Sequence, residues 1–148
     1  MRIALDVMGG DRAPEEIVHG AVEASLKFKD VSKILMVGDE AAIRAELAKY
    51  SKADLTRLDI VHAPDSISMG ESPVVAVRKK KRCSINLCMD LIKNREADAM
   101  VSAGNSGAVA AAAMFCLGRM PGVLRPAIAT VIPTRQPKRP LLLLDAGA

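Results

Sequence analysis

The chain has 148 residues, half of them hydrophobic, and carries a formal net charge of +4. Two Phe, one Tyr and no Trp are too few for the stacking platform that single-stranded nucleic acids bind, and so mild a charge favours anionic small molecules or an acidic protein over DNA. We therefore expect no nucleic-acid partner, and a single domain over residues 1–148 with a real core.

Strand-like and helix-like segments alternate along the chain. Short apolar runs followed by turn-forming residues predict strands at residues 3–5, 33–37, 58–61, 97–101, 128–132 and 141–144. Helical periodicity covers residues 14–29, 40–49, a segment that opens at Pro73, 84–95 and an alanine-rich stretch from Ala108. The last two strands are joined by a connection short enough for a hairpin-like return. This order predicts an α/β fold with a mostly parallel sheet, helices on both faces, and ligands at the carboxyl ends of the strands.

Several classes of protein are disfavoured by what the chain lacks. No apolar stretch approaches the roughly 20 residues that cross a bilayer, and the first strand leaves no room for a secretory signal, so we expect a cytoplasmic protein. Three Cys and two His have no zinc-binding spacing, so we expect reduced thiols and no metal. Cys83 follows a basic run that would lower its pKa, but no His lies near it in sequence, which disfavours a catalytic thiol.

Two glycine-containing loops follow the first and fourth predicted strands, at residues 9–11 and 102–107. Each precedes a helix, whose unpaired N-terminal amides attract anions, and parallel strands would bring both loops to one edge of the sheet. Neither loop contains the GxGxxG or GxxxxGK motif, although an irregular dinucleotide site stays an alternative.

The polar residues of these loops have two interpretations each. Ser102, Asn105 and Ser106 either cap the following helix or hold a phosphate. Asp11 either caps the first helix or orders a basic neighbour or a metal beside an anion site. His62 ends the third strand at the same edge, and a catalytic role for it is open.

A basic run follows the helical segment that Pro73 opens. Because a helix turns by about 100° per residue, its five side chains cannot all face one ligand. The run is either a solvated face or a docking surface for an acidic partner or anionic lipid. Its members are Arg78, Lys79, Lys80, Lys81 and Arg82.

Four segments together resemble the PlsX family of phosphate acyltransferases, and the match runs in order through the chain. They are residues 5–18, 37–39, 101–108 and 143–148. The segment at residues 125–130 and the basic run also match the family. The resemblance implies a three-layer α/β/α fold related to isocitrate dehydrogenase and phosphotransacetylases. It implies a homodimer that transfers a fatty acyl group from acyl carrier protein to inorganic phosphate, giving acyl phosphate for phospholipid synthesis, without a cofactor.

The chain departs from the family pattern at three places. Val7 stands where the family usually has Ala, and Arg12 where it often has His. Residues 145–148 stop in the turn where family members continue into an Asn and a second half that shapes the acyl site and carries membrane-contacting helices. We therefore expect the N-terminal portion of a longer enzyme, with peripheral membrane association through the absent part.

This chemistry assigns roles to the two loops. We expect Asn105 to be a catalytic side-chain donor, and Asp11 to orient the loop or a basic neighbour. We expect the basic run to attract the acidic carrier protein. The residues expected to bind phosphate and the thioester carbonyl are Gly9, Gly10, Ser102, Gly104, Ser106 and Gly107.

Two other functions stay open at this point. One is a phosphotransacetylase-like acyltransferase that uses coenzyme A as its thioester. The other is a ligand-binding or dimerising fragment without activity.

Overall fold

The computed structural model describes residues 1–50, 55–124, 126–136 and 138–145. Arg125 and residues 146–148, which carry part of the family resemblance, lie outside the described residues. The chain divides into two compact units, residues 1–117 and residues 118–148, and each is described by itself.

The first unit is built on a four-stranded parallel sheet in the order β3-β2-β1-β4. Its strands are β1 (Arg2–Asp6), β2 (Lys33–Gly38), β3 (Leu58–His62) and β4 (Ala99–Val101). Its α-helices are α1 (Glu15–Lys27), α2 (Glu40–Leu47), α3 (Pro73–Lys79), α4 (Ser84–Lys93) and α5 (Ser106–Cys116), and a 3-10 turn, Leu55–Arg57, precedes β3. The predicted α/β class and parallel sheet are confirmed.

Strand β2 shows why the sheet needs helices on both faces. Its continuous apolar run sends Ile34 and Met36 to one side, where they pack with residues of α1 and α2. Leu35 and Val37 point to the other side and pack with residues of α4. A strand that is buried on both faces has a continuous run of hydrophobic residues. Helices on both faces of the sheet give the predicted three-layer α/β/α arrangement.

Helices α3, α4 and α5 form a further apolar cluster. Val77, Ile85 and Met89 pack there against the alanine-rich face of α5. The contact is close at the start of α5, since a Cβ added to Gly107 would lie 2.8 Å from Pro73 Cγ. Small residues therefore bring the N-terminus of α5 against the first residue of α3.

An exposed ion pair holds β1 and the turn before β4 together at the edge opposite the loops. The Arg2 side chain and backbone amide both donate to the Asp98 carboxylate, with Nη2 to Oδ1 at 2.7 Å and N to Oδ2 at 2.7 Å. The side-chain hydrogen bond from Arg2, together with the backbone one, lowers the pKa of Asp98 to about 2. The carboxylate therefore keeps its charge, and β1 its alignment with β4, down to acidic pH.

The second unit contains two antiparallel strands, β5 (Ala129–Ile132) and β6 (Leu141–Leu144). Ala129 pairs with Leu144, and Ile132 pairs with Leu141. The predicted hairpin-like return is confirmed. In neither unit does a described helix combine the length and hydropathy that crossing a membrane requires.

Candidate functional site

The loops that follow β1 and β4 meet at the carboxyl edge of the sheet, because these two strands are parallel neighbours. They touch backbone to backbone. A Cβ added to Gly9 would lie 2.8 Å from Gly104 N, and one added to Gly104 would lie 3.0 Å from Gly9 Cα. Gly10 adopts a φ of +112°, a backbone conformation that residues with a side chain rarely adopt. Glycine is therefore needed at three points of this junction.

Asp6 ends β1 directly beneath the junction and is only 1% exposed. Its Oδ2 accepts a 2.7 Å hydrogen bond from Ser102 Oγ, and its Oδ1 accepts a 3.2 Å hydrogen bond from the Met8 amide. No ion pair among the described residues includes it. Asp6 was not among the expected site residues, although a carboxylate that ends a buried strand just before a glycine pair is a signal in the sequence.

Asn105 is the N-cap of α5 and is 7% exposed. Its Oδ1 accepts a 3.0 Å hydrogen bond from the Ala108 amide. Its Nδ2 donates to the carbonyl of Glu71 at 3.2 Å and to those of Ser68 and Met69 at 3.4 Å. The side chain thus caps the helix and also anchors the loop before α3, through long contacts that are weak as hydrogen bonds.

Unused donors remain at the mouth of the junction. Ser106 is exposed at the first position of α5, and Gly107 follows it. The first amides of a helix have no intrahelical acceptor, and here the Asn105 side chain takes only that of Ala108. None of the hydrogen bonds found among the described residues involves the amides of Ser106 and Gly107, which lie at the positive end of the helix dipole.

Asp11 and Arg12 lie on the exposed side of the first loop. Arg12 Nη1 donates to Glu16 Oε1 at 3.1 Å, one turn further along. Helix α1 starts from Pro14 without a side-chain cap, so the alternative in which Asp11 caps that helix is not found. No group of three or more His, Cys, Asp and Glu within the described ranges is placed to hold a metal ion.

His62 lies away from the glycine junction. It ends β3, and β2 separates β3 from β1, which puts it about 10 Å away at the usual strand spacing. Its Nδ1 accepts a hydrogen bond from the Glu40 amide at 3.3 Å, at the start of α2. The structure therefore does not bring His62 to the residues expected to bind substrate.

The thiols are not poised to react. Burial raises the pKa of Cys83 and that of Cys88, and burial and the neighbouring Asp90 carboxylate raise the pKa of Cys116. All three stay protonated at neutral pH. A thiolate is the reactive form, so these residues are unsuited to nucleophilic catalysis.

The basic run crosses from the end of α3 into the turn before α4. Lys80 turns inward, where its Nζ donates to Glu71 Oε1 at 2.8 Å and to the carbonyl of Ser66 at 2.7 Å. This hydrogen bond from Lys80 lowers the pKa of Glu71. The guanidinium of Arg78 stacks 4.8 Å from the ring centre of Phe115. The exposed members of the run are Arg78, Lys79, Lys81 and Arg82.

A parallel sheet with paired glycine loops at its carboxyl edge, one of them opening a helix, is an arrangement in which α/β proteins commonly bind anionic ligands through backbone amides. A family model described as a fatty acid synthesis protein matches residues 1–148, and the chain belongs to that family. The match confirms that the chain belongs to the family which the sequence resembles.

Curated relatives carry a more specific name. The proteins named phosphate acyltransferase from Nostoc sp. and Pelotomaculum thermopropionicum are 52% and 51% identical over 148 residues. The one from Trichodesmium erythraeum is 49% identical over 147 residues. The chain spans 42% of the length of each of these relatives.

Replacing Gly9 by Ala is expected to destabilise the first unit. The new Cβ would lie 2.5 Å from Asp6 Oδ2 and 2.8 Å from Gly104 N, and the second contact is with backbone that cannot turn aside. Overpacking of this kind costs about 1–3 kcal/mol, which urea unfolding measures.

Gly20→Ala is the matched control, because a Cβ on Gly20 in the middle of α1 would meet nothing within 4 Å. Ala is preferred to Gly in helices, so this variant gains about 0.5–1 kcal/mol. Equal stability of the Gly9→Ala variant and the parent would contradict the close contact of the two loops.

Proposed function

We propose that this chain forms one wall of the active site of a phosphate acyltransferase, which moves a fatty acyl group from acyl carrier protein to inorganic phosphate. The observation that carries the proposal is the glycine junction. Backbone contact between Gly9 and Gly104 places two amide-rich loops at one sheet edge, beside the start of α5. The relatives' name supports the same reaction class.

The reaction does not require a strong general acid or general base from a side chain. A phosphate oxygen attacks the thioester carbonyl, the new C–O bond forms, the C–S bond breaks, and the carrier leaves as a thiolate that takes a proton. Phosphate is already ionised at neutral pH, and the departing thiol has a pKa of about 8.5. Positioning of the two reactants and stabilisation of the oxyanion are the main requirements, and fixed amides supply both.

We assign these tasks to the loop residues as follows. The amides of Ser106 and Gly107, together with that of Gly10, bind the phosphate. Gly9, Ser102 and Gly104 set the shape of the junction. Asp11 is exposed beside Arg12 and orients that cation or the loop toward the anion.

Asn105 supplies the side-chain donor for the thioester oxygen. Its Nδ2 makes three contacts of 3.2–3.4 Å with carbonyls of the loop before α3, and a substrate oxygen replaces these weak contacts. The Oδ1 keeps the helix cap meanwhile. One side chain thereby joins the substrate to the helix whose amides hold the phosphate.

Asn105→Ala, made in the family-length enzyme that carries this sequence, is expected to lower the turnover of acyl phosphate formation about a hundredfold, the usual cost of one oxyanion donor. Thioester consumption and acyl phosphate release, followed together by mass spectrometry, measure it.

Asn105→Ser separates the donor from the cap, because Ser is an equally good N-cap but lacks the amide. This variant is expected to keep the helix cap but to melt slightly below the parent, because the Nδ2 contacts with the loop before α3 are lost, and to lose activity as Asn105→Ala does. Full turnover in the Asn105→Ser enzyme would show that Asn105 only caps the helix.

The exposed part of the basic run docks the carrier protein. Arg78, Lys79, Lys81 and Arg82 are exposed, and no ion pair among the described residues includes them. Exposed cations outside internal ion pairs raise the rate of encounter with an acidic protein. Phe115 under Arg78 adds an exposed apolar contact beside them.

Replacing Lys79 and Arg82 together by Ala is expected to raise KM for the acyl carrier protein thioester about tenfold at low salt, and less as salt screens the charges. The KM for the same acyl group on coenzyme A is expected to change little. Steady-state kinetics with both donors measure the two effects.

The matched control is Lys27→Ala with Lys29→Ala, which removes two exposed cations near the end of α1. This pair is expected to leave both KM values as they are. Faster turnover of the parent enzyme with the coenzyme A thioester than with the carrier protein would instead favour the phosphotransacetylase-like function.

Three further properties are proposals from the resemblance alone. They are a homodimer, a cytoplasmic location, and peripheral association with membranes through the part of the family that this chain does not span.

A further inference from the structure

We propose that Asp6 and Ser102 act as one positioning pair, which holds the turn at Gly104 in the conformation that binds phosphate. The inference rests on the proposed function and adds to it two residues that act through the loop backbone. Neither side chain donates a hydrogen bond to the substrate.

The donor and acceptor counts fix the direction of each hydrogen bond. The single hydroxyl proton of Ser102 is directed at Asp6 Oδ2, at 2.7 Å. The Ser102 oxygen then accepts the Gly104 amide at 3.1 Å. Ser102 has no proton left for a ligand, which makes it a positioning residue within the loop.

The Asp6 carboxylate also lies between the two glycines that form the junction. A Cβ on Gly9 would lie 2.5 Å from Asp6 Oδ2, and one on Gly104 would lie 3.4 Å from the same atom. Asp6 Oδ1 accepts the Met8 amide, which starts the first loop. One carboxylate therefore fixes both loops, the first through Met8 and the second through Ser102 and Gly104.

The cost of this arrangement points to function more than to stability. Asp6 is 1% exposed and has no cationic partner among the ion pairs of the described chain. A buried carboxylate without a counter-ion is expensive, and apolar side chains of similar volume generally stabilise such positions better. Its negative charge also opposes a nearby phosphate, so any benefit to binding comes from the loop geometry that it imposes.

The test is steady-state kinetics of the family-length enzyme with Asp6→Asn, Ser102→Ala and the double variant. We expect KM for inorganic phosphate to rise about tenfold to a hundredfold in each, since a small misplacement of a binding group has that effect. The double variant is expected to have a KM for phosphate no higher than that of the single variant with the larger increase, because the effects of residues that act as a unit are not additive. The KM for the acyl donor is expected to move less than about threefold, because the pair acts on the phosphate loop.

Two controls separate positioning from general loss of stability. Ser25→Ala removes another buried hydroxyl, which is 1% exposed and donates to the Val22 carbonyl at 2.7 Å on α1. It is expected to lower the melting temperature as Ser102→Ala does and to leave KM for phosphate unchanged. Ser102→Thr keeps the hydroxyl and is expected to restore the parent's KM.

The outcomes distinguish the inference from the proposed function. A parent enzyme that makes no acyl phosphate contradicts the proposed function. Two results with an active parent would overturn the proposed positioning pair. One is a KM for phosphate that Ser102→Ala leaves unchanged, and the other is a double variant in which the two single effects on KM simply multiply. If Asp6→Asn does not fold, Asp6→Glu takes its place in the double variant, because Glu keeps the carboxylate and moves it relative to Ser102.

Discussion

The parallel pairing of β1 with β4 is the constraint on which the rest of this structure depends. It aligns Leu5 with Val101, so that the chain leaves both strands at the same level and the two loops meet. The loops then approach until Gly9 and Gly104 touch through their backbones. Any larger residue at either position would push the two loops apart.

The proposed site is built from backbone, which has particular chemical consequences. Its donors are fixed by the sheet and by α5, so they need little reorganisation when charge develops on a substrate oxygen. The side chains around them serve mainly to hold that backbone, as Asn105 does for α5 and Asp6 does for the loops. Such a site suits a reaction whose nucleophile and leaving group are both easily ionised, because no strong general base is then required.

The local patterns in the sequence predicted the elements well, because they depend on neighbours along the chain. The apolar run of β2 and the proline at the start of α3 are examples, and both elements form where they were predicted. Boundaries moved where local hydrogen bonds compete. The fourth strand begins at Ala99 because the amides of Glu96 and Ala97 close the end of α4 on the Leu91 carbonyl.

The contacts of the site were harder to predict because they join residues far apart in sequence. Periodicity gives strands but not their order, so it grouped His62 with the glycine loops, although β3 is separated from β1 by β2. Asp6 and Ser102 are 96 positions apart, and Asn105 reaches carbonyls 34 to 37 positions away. The loops could be predicted because glycine residues mark them in the sequence. Nothing in the sequence around Asp6 indicates that its partner is Ser102.

Backbone amide NMR of the isotope-labelled protein, titrated with inorganic phosphate, tests most directly whether the glycine junction is the anion site. Signals of Gly10, Ser106 and Gly107 are expected to shift together along one saturable curve, with sodium chloride of equal ionic strength as the reference. Saturable shifts confined to the basic run at residues 78–82, with the junction signals unmoved, would contradict the account.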